Sequence, residues 1–309
     1  MLRWVCLLTL VGLFSGPLRA IVVASGDPNS PPVVVNYSNS VVNGIGQTVD
    51  LSGVVNIGNC SGSLLSDGYS ILTTEHCVTP FIGDALPSSI TVDFQGPSGI
   101  VTDTATTYYL DPAWTGDSTQ GADLAVLRLD QAAPSFATRY SLYTGFFTTS
   151  PILLAGYGMT GVGAVGCCGF GILRQGQNRY VGLGGDVFTG WSDNLLVGQF
   201  LANSDIPNEV DIAPGDSGGP SFYDGEIIGV HDLLACISAP SNPDVCTDPP
   251  SASPTINSSF GQFFADISVS AYASWIESEE VPEPASCSLV LLGLAVAGFL
   301  GRRTGRRFS

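Results

Sequence analysis

The sequence has no lysine, and its basic side chains are ten arginines and two histidines. Six of the arginines lie in the first 20 or the last eight residues, so residues 21–280 carry four arginines against 26 acidic residues. The resulting net charge of −22 repels polyanions, which excludes nucleic acids and anionic membranes as favoured partners. The hydrated surface of an exported protein is the simpler interpretation of this charge.

Metal-binding motifs are also scarce. The only histidines are His76 and His231, and no two cysteines have the CxxC spacing typical of a zinc site. We therefore expect neither a metal ion nor a cofactor.

Cysteines form an even set once Cys6 and Cys287 of the terminal segments are set aside. The six that remain are Cys60, Cys77, Cys167, Cys168, Cys236 and Cys246. An even number in an exported protein predicts disulfides. Among the last four, proximity in the sequence favours a bridge between Cys236 and Cys246, which leaves a vicinal bridge between Cys167 and Cys168. Two other pairings of these four remain open.

No apolar run reaches the roughly 20 residues that a membrane-spanning helix needs. The run within residues 1–20 follows a basic start and precedes small residues, which is the pattern of a secretory signal peptide. Cleavage fits after Ala20 or after Ala24.

Residues 281–309 have three parts in a fixed order. Pro282-Glu283-Pro284 comes first, an apolar run over 288–300 follows, and four arginines close the chain. This order resembles the bacterial PEP-CTERM sorting signal. The resemblance implies the secretion machinery and an exosortase-type enzyme as partners, with transient membrane contact through a short transmembrane helix. It also implies export by a Gram-negative-type bacterium to the cell envelope or the extracellular space.

Residues 21–280 have the pattern of an all-β fold. Short β-branched runs alternate with Gly, Asn, Ser and Asp at a spacing of roughly ten residues. These runs predict strands at 33–35, 53–58, 63–65, 69–73, 90–94 and 125–129. One helix is predicted over 268–278, and the glycine-rich segment 156–185 is expected to contain the passage between two lobes.

The sequence is organised around Ala213–Pro220, which reads APGDSGGP. Glycines and proline at these positions predict a tight loop around Ser217 rather than a helix or a central strand. A serine becomes a nucleophile when a base removes its proton and backbone donors stabilise the oxyanion. A glycine-rich surface turn is the alternative interpretation. Nucleophilic catalysis would require a histidine and a carboxylate elsewhere in the chain.

The first histidine lies in the segment ILTTEHC, directly after a predicted strand, and Cys60-Ser61-Gly62-Ser63-Leu64 precedes it by the length of a hairpin. These segments resemble the chymotrypsin-like serine proteases, in which a disulfide joins them. The resemblance implies a bridge between Cys60 and Cys77 that holds the strand end carrying His76.

Further segments follow in the order of that family. They are Asp123–Leu129 (DLAVLRL), Gly156-Tyr157-Gly158, Ile228–His231 and Tyr272–Ile276. The resemblance implies one protease domain over 21–280, with two six-stranded antiparallel β-barrels, a short C-terminal helix and no cofactor. Its substrates would be proteins or peptides. An α/β-hydrolase is disfavoured because the strand–helix alternation is missing and the order is His, Asp, Ser.

The resemblance also assigns roles. Ser217 would attack the scissile carbonyl, His76 would act as base and then acid, and Asp123 would orient the histidine. The backbone N–H groups of Gly215 and Ser217 would form the oxyanion hole. The family counterpart of Asp216 pairs with a newly formed N-terminus.

That pairing makes Ile21-Val22-Val23 a candidate mature start, exposed by cleavage after Ala20. The alternative is that residues 21–50 form a flexible leader.

Primary specificity would depend on Asp211, six residues before the nucleophile. A carboxylate at the base of the pocket would pair with a substrate arginine or lysine. Ala213 replaces the cysteine that normally braces this loop, so the alternative is that Asp211 points into solvent.

Two further positions depart from the family pattern. Glu75 stands where a small residue is usual, and Asp232 replaces a serine that donates to the triad carboxylate. Either one acid of the pair stays protonated and serves as that donor, or the strand is shifted and Asp232 faces water. His231 is expected to be structural.

A function of another class is also consistent with the sequence. The chain could be a catalytically silent protease homologue that acts as an extracellular binding or matrix protein.

Overall fold

The structure, a computed structural model, describes residues 21–23, 40–42, 48–79, 83–162, 166–167, 171–201, 203–206, 209–235, 258 and 260–280. The first strands are β1 (Ile21–Val23), β2 (Ser40–Val42), β3 (Thr48–Asp50), β4 (Val54–Asn56), β5 (Ser61–Leu64), β6 (Ser70–Thr73), β7 (Ile90–Gly96), β8 (Gly99–Leu110) and β9 (Ala125–Leu129). They are followed by β10 (Ile152–Gly156), β11 (Thr160–Val162), β12 (Gly166–Cys167), β13 (Arg174–Asn178), β14 (Tyr180–Leu183), β15 (Leu195–Gln199), β16 (Val210–Asp211), β17 (Pro220–Tyr223), β18 (Glu226–Ala235) and β19 (Phe263–Ser268). The α-helices are α1 (Gly184–Val187) and α2 (Val269–Glu279), and 3-10 turns cover Glu75–Cys77 and Ser118–Gln120.

The first lobe is a closed antiparallel barrel with the strand order β4-β5-β6-β9-β8-β7. Its interior holds apolar side chains contributed by every strand, among them Val55, Leu64, Ile71, Phe94, Ala105 and Leu127. Burying these side chains on a closed sheet leaves no unpaired strand edge, which stabilises a lobe made of short strands.

The second lobe is a sheet with the order β13-β10-β17-β18-β19-β15-β14. Its first and last strands are consecutive in the chain and are separated by Arg179 alone. The sheet therefore curls back on itself, and β13 with β14 acts as one bent strand of six. The predicted fold of two six-stranded antiparallel β-barrels followed by a short helix is confirmed.

One hydrophobic cluster contains residues of both lobes. Leu72 and Val126 of the first barrel pack in the same cluster as Leu153 and Val230 of the second. The interface between the lobes is therefore rigid, which suits a site that draws residues from both sides.

The helix α2 is held against the first lobe. It begins and ends within one residue of the predicted helix, and it buries Val269 and Ile276. Arg128 of β9 donates a hydrogen bond of 2.6 Å from Nη2 to the carbonyl oxygen of Glu279.

The passage between the lobes was predicted wrongly. It is the segment 130–151, in which Tyr140 bridges to Leu65 of the first lobe and Leu142 bridges to Ile227 of the second. The glycine-rich segment 156–185 instead carries strands of the second lobe. Gly156, Gly158 and Gly176 of this segment allow the backbone to approach Asp216 and Val210 closely, and none of the three belongs to a connection between lobes.

Of the predicted strands, the five between residues 53 and 129 are confirmed, and β9 has the predicted bounds. The strand predicted at 33–35, the bridge between Cys236 and Cys246, and the terminal segments 1–20 and 281–309 lie outside the described residues, as does Cys168. Within the described part of the chain, no helix is long and apolar enough to cross a membrane.

Candidate active site

His76 lies at the end of β6, in the 3-10 turn Glu75–Cys77. All four residues of β6 are buried in the barrel. The chain leaves the barrel after Thr73 and enters the turn that carries His76. The disulfide implied by the resemblance is present: Cys60 and Cys77 are bonded, with their Cα atoms 6.1 Å apart. The bridge fastens this turn to the segment before β5.

Asp123 precedes β9, which pairs antiparallel with β6 so that Thr73 lies opposite Ala125. The end of β6 and the start of β9 therefore meet, which brings His76 and Asp123 together. Nδ1 of His76 lies 2.6 Å from Oδ2 of Asp123, and the backbone N–H of His76 donates to Oδ1 over 2.9 Å. Asp123 is fully buried, whereas about a third of the imidazole, 32%, is exposed.

This pairing defines the histidine tautomer. A carboxylate can only accept, so Nδ1 carries the hydrogen and Nε2 keeps its lone pair. Two hydrogen bonds from one residue to one carboxylate also fix the plane of the imidazole.

Ser217 lies in the loop between β16 and β17 of the second lobe. Its carbonyl oxygen accepts a hydrogen bond of 2.8 Å from the backbone N–H of Ser61 in β5 of the first lobe. The same oxygen lies 3.7 Å from Sγ of Cys77, the residue after His76. The structure thus places the Ser217 loop against the turn that carries the histidine.

The geometry of this loop explains why two of its positions are glycine. Gly218 has φ +79°, and a Cβ there would lie 2.0 Å from Oγ1 of Thr73. Gly215 has φ +96°, a region that favours glycine. Within the described residues, the N–H groups of Gly215 and Ser217 have no hydrogen-bond acceptor, so both donors are available.

A residue that sequence reasoning missed supports this loop from the first lobe. The hydroxyl of Ser61 donates to the carbonyl oxygen of Gly215 over 3.0 Å and accepts from the N–H of Tyr157 over 2.9 Å. Ser61 is buried in β5, whose sequence SGSL contains mainly small residues. This composition is the sequence signal that could have indicated its role.

The carboxylate of Asp216 is buried beneath the loop. Its oxygens accept hydrogen bonds of 2.8 Å from the N–H groups of Gly158 and Ala213. Burial raises the pKa of Asp216 to about 6, although the charges of His231 and Arg174 oppose the rise. A Cβ at position 158 would lie 2.4 Å from the backbone nitrogen of Asp216. This close approach explains why the second glycine of the GYG segment cannot be a larger residue.

Ile21 is fully buried in the second lobe. Its strand β1 runs parallel to β11 and antiparallel to β16, with Ile21 beside Thr160 and Val22 beside Asp211. The hydroxyl of Thr160 donates to the carbonyl oxygen of Ile21 over 3.0 Å.

Asp211 is buried in β16 with 0% exposure, so the alternative in which it points into solvent is wrong. Neither of its oxygens accepts a hydrogen bond of normal geometry within the described part of the chain. Burial raises its pKa well above the ordinary value and the nearby charges of Asp216 and Glu209 add to the rise, whereas the backbone N–H of Ile212 opposes it. Ala213, which replaces the bracing cysteine, packs against Phe200.

Three further carboxyl groups lie around Asp123. Burial raises the pKa of Glu75 to about 7, and the charges of Asp123 and Asp111 add to this. Burial also raises the pKa of Asp111, while the N–H of Ala113 lowers it.

The third is Asp232, and it does not face water. Its side chain has 0% exposure, and its Oδ1 lies 4.0 Å from Nδ1 of His76. A register shift in β18 between His231 and Leu233 explains this position, because a bulge lets two consecutive side chains enter the interior. The alternative in which Asp232 is solvated is therefore wrong.

His231 belongs to a separate buried network. Its Nδ1 lies 2.9 Å from Oδ1 of Asp266, whose Oδ2 accepts hydrogen bonds from the hydroxyls of Tyr180 and Ser221. Ser221 bonds the carboxylate and not the imidazole, so this network lacks the nucleophile–base contact of a second catalytic site.

Two groups of described residues could in principle supply three metal ligands each. In the first, Cys60 and Cys77 are bonded to each other and offer no thiolate. In the second, His76, Asp123 and Asp232, the 2.6 Å between Nδ1 and Oδ2 is a hydrogen bond and is shorter than the roughly 3 Å that separates two ligands of one zinc ion. Neither group fits a metal as it stands.

Comparison with known families agrees with this geometry. Residues 42–256 match the Trypsin family model, and residues 280–307 match the PEP-CTERM protein-sorting motif. The first match covers more than half of the chain and spans both lobes. No curated protein matches the chain.

Proposed function

The chain belongs to the trypsin family of serine-type peptidases, and we propose that it is an active endopeptidase whose nucleophile is Ser217. The observation that carries the proposal is the contact of 2.6 Å between His76 and the fully buried Asp123, at the turn on which the Ser217 loop rests. A base oriented by a buried carboxylate beside a serine loop is the arrangement that acyl transfer requires.

In the proposed mechanism, Nε2 of His76 takes the proton of the Ser217 hydroxyl as the hydroxyl oxygen attacks the scissile carbonyl. Asp123 holds the hydrogen of Nδ1 and stabilises the imidazolium that forms. The imidazolium then protonates the leaving amine. Water, deprotonated by the same histidine, releases the acyl group from Ser217.

The oxyanion of the tetrahedral intermediate would bind the N–H groups of Gly215 and Ser217. Removal of one such donor typically costs about 3 kcal/mol of transition-state stabilisation. The bonds that Ser61 and Asp216 make to this loop support its role, because a preorganised hole needs a backbone that does not relax.

For the substrate, we propose cleavage after arginine or lysine, with Asp211 at the base of the primary pocket. Its buried carboxylate, without a hydrogen bond of normal geometry from the described residues, is well suited to a cationic partner. A guanidinium or ammonium group would supply the missing hydrogen bonds and the compensating charge.

Export accounts for the two ends of the chain. The PEP-CTERM motif indicates export and association with the cell envelope in Gram-negative bacteria. We propose that a signal peptide, residues 1–20, is removed after Ala20 and that the new ammonium group of Ile21 reaches the carboxylate of Asp216. The buried position of Ile21 beside β16 supports this maturation.

Labelling with a fluorophosphonate probe tests the proposed function. Folded wild-type protein should form one adduct at Ser217, and Ser217→Ala should form none. His76→Ala should lower the labelling rate strongly, because the base is lost. A folded wild-type protein that resists the probe would instead support the silent homologue acting as an extracellular binding or matrix protein.

A further inference from the structure

Two carboxyl groups lie side by side against the base of the proposed triad. The nearest ligand atoms of His76, Asp123 and Asp232 all lie within 4.8 Å of one another. The side chains of Asp123 and Asp232 both have 0% exposure. Bulk solvent therefore reaches neither carboxyl group.

The hydrogen bonds around these carboxyl groups are unevenly divided. Asp123 accepts two, from Nδ1 and from the backbone N–H of His76. Asp232 accepts none of normal geometry from the described residues, although the nearby hydroxyl of Ser118 favours its ionised form. A buried carboxylate with so few donors is costly, and this cost is lower when the group is a neutral acid that donates.

The charges around Asp123 and Asp232 also favour the neutral form of Asp232. Glu75 lies close enough to Asp123 and Asp111 in the first lobe for their charges to interact, and the charge of Asp266 in β19 acts on Asp232. The only histidines of the chain are His76 itself and His231, and His231 already pairs with Asp266. Among the described residues, no arginine forms an ion pair with either Asp123 or Asp232.

We propose that Asp232 is a positioning residue of the active site, which stays protonated in the working enzyme and donates a hydrogen bond to the carboxylate of Asp123. The carboxylic acid thus takes the place of a hydroxyl donor. In agreement with this, burial raises the pKa of Asp232 well above its ordinary value, and the adjacent charge of Asp123 raises it further.

This proton affects the base. With Asp232 neutral, its O–H donates to the carboxylate of Asp123 and fixes that carboxylate beside Nδ1 of His76. With Asp232 ionised, this hydrogen bond is lost and two buried negative charges repel each other, which displaces Asp123 from the histidine that it orients. Loss of the Asp232 proton should therefore reduce activity on the alkaline side.

The first test measures the proton itself and needs no catalysis. Infrared difference spectra of the wild type against Asp232→Asn, taken at neutral pH, should contain the carbonyl band of a protonated carboxylic acid in the wild type only. Asp186→Asn, at an exposed position, is the matched control and should leave that band unchanged. A difference spectrum without this band, or one that shows the loss of an ionised carboxylate, overturns the proposal.

The second test is kinetic and rests on the proposed function. Asp232→Asn keeps a neutral donor, so kcat/KM should stay within about threefold of the wild type and the alkaline loss of activity should disappear. Asp232→Ala removes the donor and should lower kcat about tenfold to a hundredfold with little change in KM. Equal losses in both variants would contradict the proposal.

If Asp232→Asn does not fold, Asp232→Ser provides the same comparison, because its hydroxyl also donates. An inactive wild type would refute the proposed function, whereas the infrared test would still decide the protonation of Asp232.

Discussion

The backbone N–H of Ser61 donates a hydrogen bond of 2.8 Å to the carbonyl oxygen of Ser217. The two residues belong to different lobes and are far apart in the sequence. The bond joins a strand of the first barrel to the nucleophile loop of the second, so the distance between base and nucleophile does not depend on a flexible connection. Activity should therefore be sensitive to residues that make this contact.

Ser61→Ala should impair catalysis while leaving substrate binding nearly intact. The substitution leaves the N–H of Tyr157 without its acceptor and releases the carbonyl of Gly215, which lies in the proposed oxyanion hole. We expect kcat to fall by about tenfold to a hundredfold. Steady-state kinetics on a peptide amide measure this, with Ser141→Ala, an exposed serine, as the control. A rise in KM at constant kcat would contradict it.

Glu75→Gln should change the pH dependence of stability. Burial raises the pKa of Glu75 from 4.5 to about 7, so the folded protein holds a proton that the unfolded chain has released between those values. The free energy of unfolding contributed by this group therefore falls as pH rises through that range, and it stays lowered above it.

Glu75→Gln removes this effect. The variant should be more stable than the wild type at about pH 8, by about 1–2 kcal/mol, and equally stable near pH 4. Denaturant unfolding at the two pH values measures the difference. A variant that is less stable than the wild type at alkaline pH would show that Glu75 makes a stabilising contact as an anion.

Asp211→Asn should lower activity toward arginine substrates and raise the stability of the protein. Loss of the buried charge should lower kcat/KM for a substrate with arginine at the cleavage position by about a hundredfold. The same change should raise the melting temperature, because burial disfavours the charged form of this group. A panel of peptides with Arg, Lys, Phe and Ala at that position, combined with thermal unfolding, tests both. A wild type that prefers Phe or Ala would refute the proposed role of Asp211.

Gly218→Ala should be far more damaging than Gly58→Ala. Both glycines have positive φ, but a Cβ at Gly58 meets nothing within 4 Å, whereas one at Gly218 would lie 2.0 Å from Oγ1 of Thr73. Gly58→Ala should cost about 1–2 kcal/mol of unfolding free energy from conformation alone. Gly218→Ala should cost more than that and abolish labelling of Ser217. Equal costs would contradict the close approach.

The mature protein should begin at Ile21. An ammonium group there would form an ion pair with Asp216, so a protein extended by one residue before Ile21 should have a much lower kcat. N-terminal sequencing of the exported protein identifies the start. Cleavage after Ala24 with full activity would refute this.

Much of the fold could be predicted because its signals are local. The strand Ala125–Leu129 and the helix Val269–Glu279 follow from short apolar patterns bounded by polar residues. The passage between lobes was assigned to the wrong segment because glycine was interpreted as a sign of a connection. In the structure, Gly156 and Gly158 are required by the carboxylate and backbone of Asp216, which lies far along the chain.

The candidate active site, like the fold, could be predicted only in part from the sequence. The pairing of His76 with Asp123 could be expected from matching segments, but the burial of Asp232 could not. Regular alternation would place either His231 or Asp232 inside, and the bulge in β18 places both inside. A bulge depends on the partner strand, which the local sequence does not specify.

The sequence by itself determined which chemical groups are available and in what order: a histidine after a strand, a carboxylate before a later strand, and a loop serine among glycines. Only the tertiary structure decided which of the many acids are deprived of water and which lie within hydrogen-bonding distance of the histidine. The reason is physical, since desolvation and charge–charge interactions depend on neighbours brought in from distant parts of the chain, whereas strand formation depends mainly on adjacent residues.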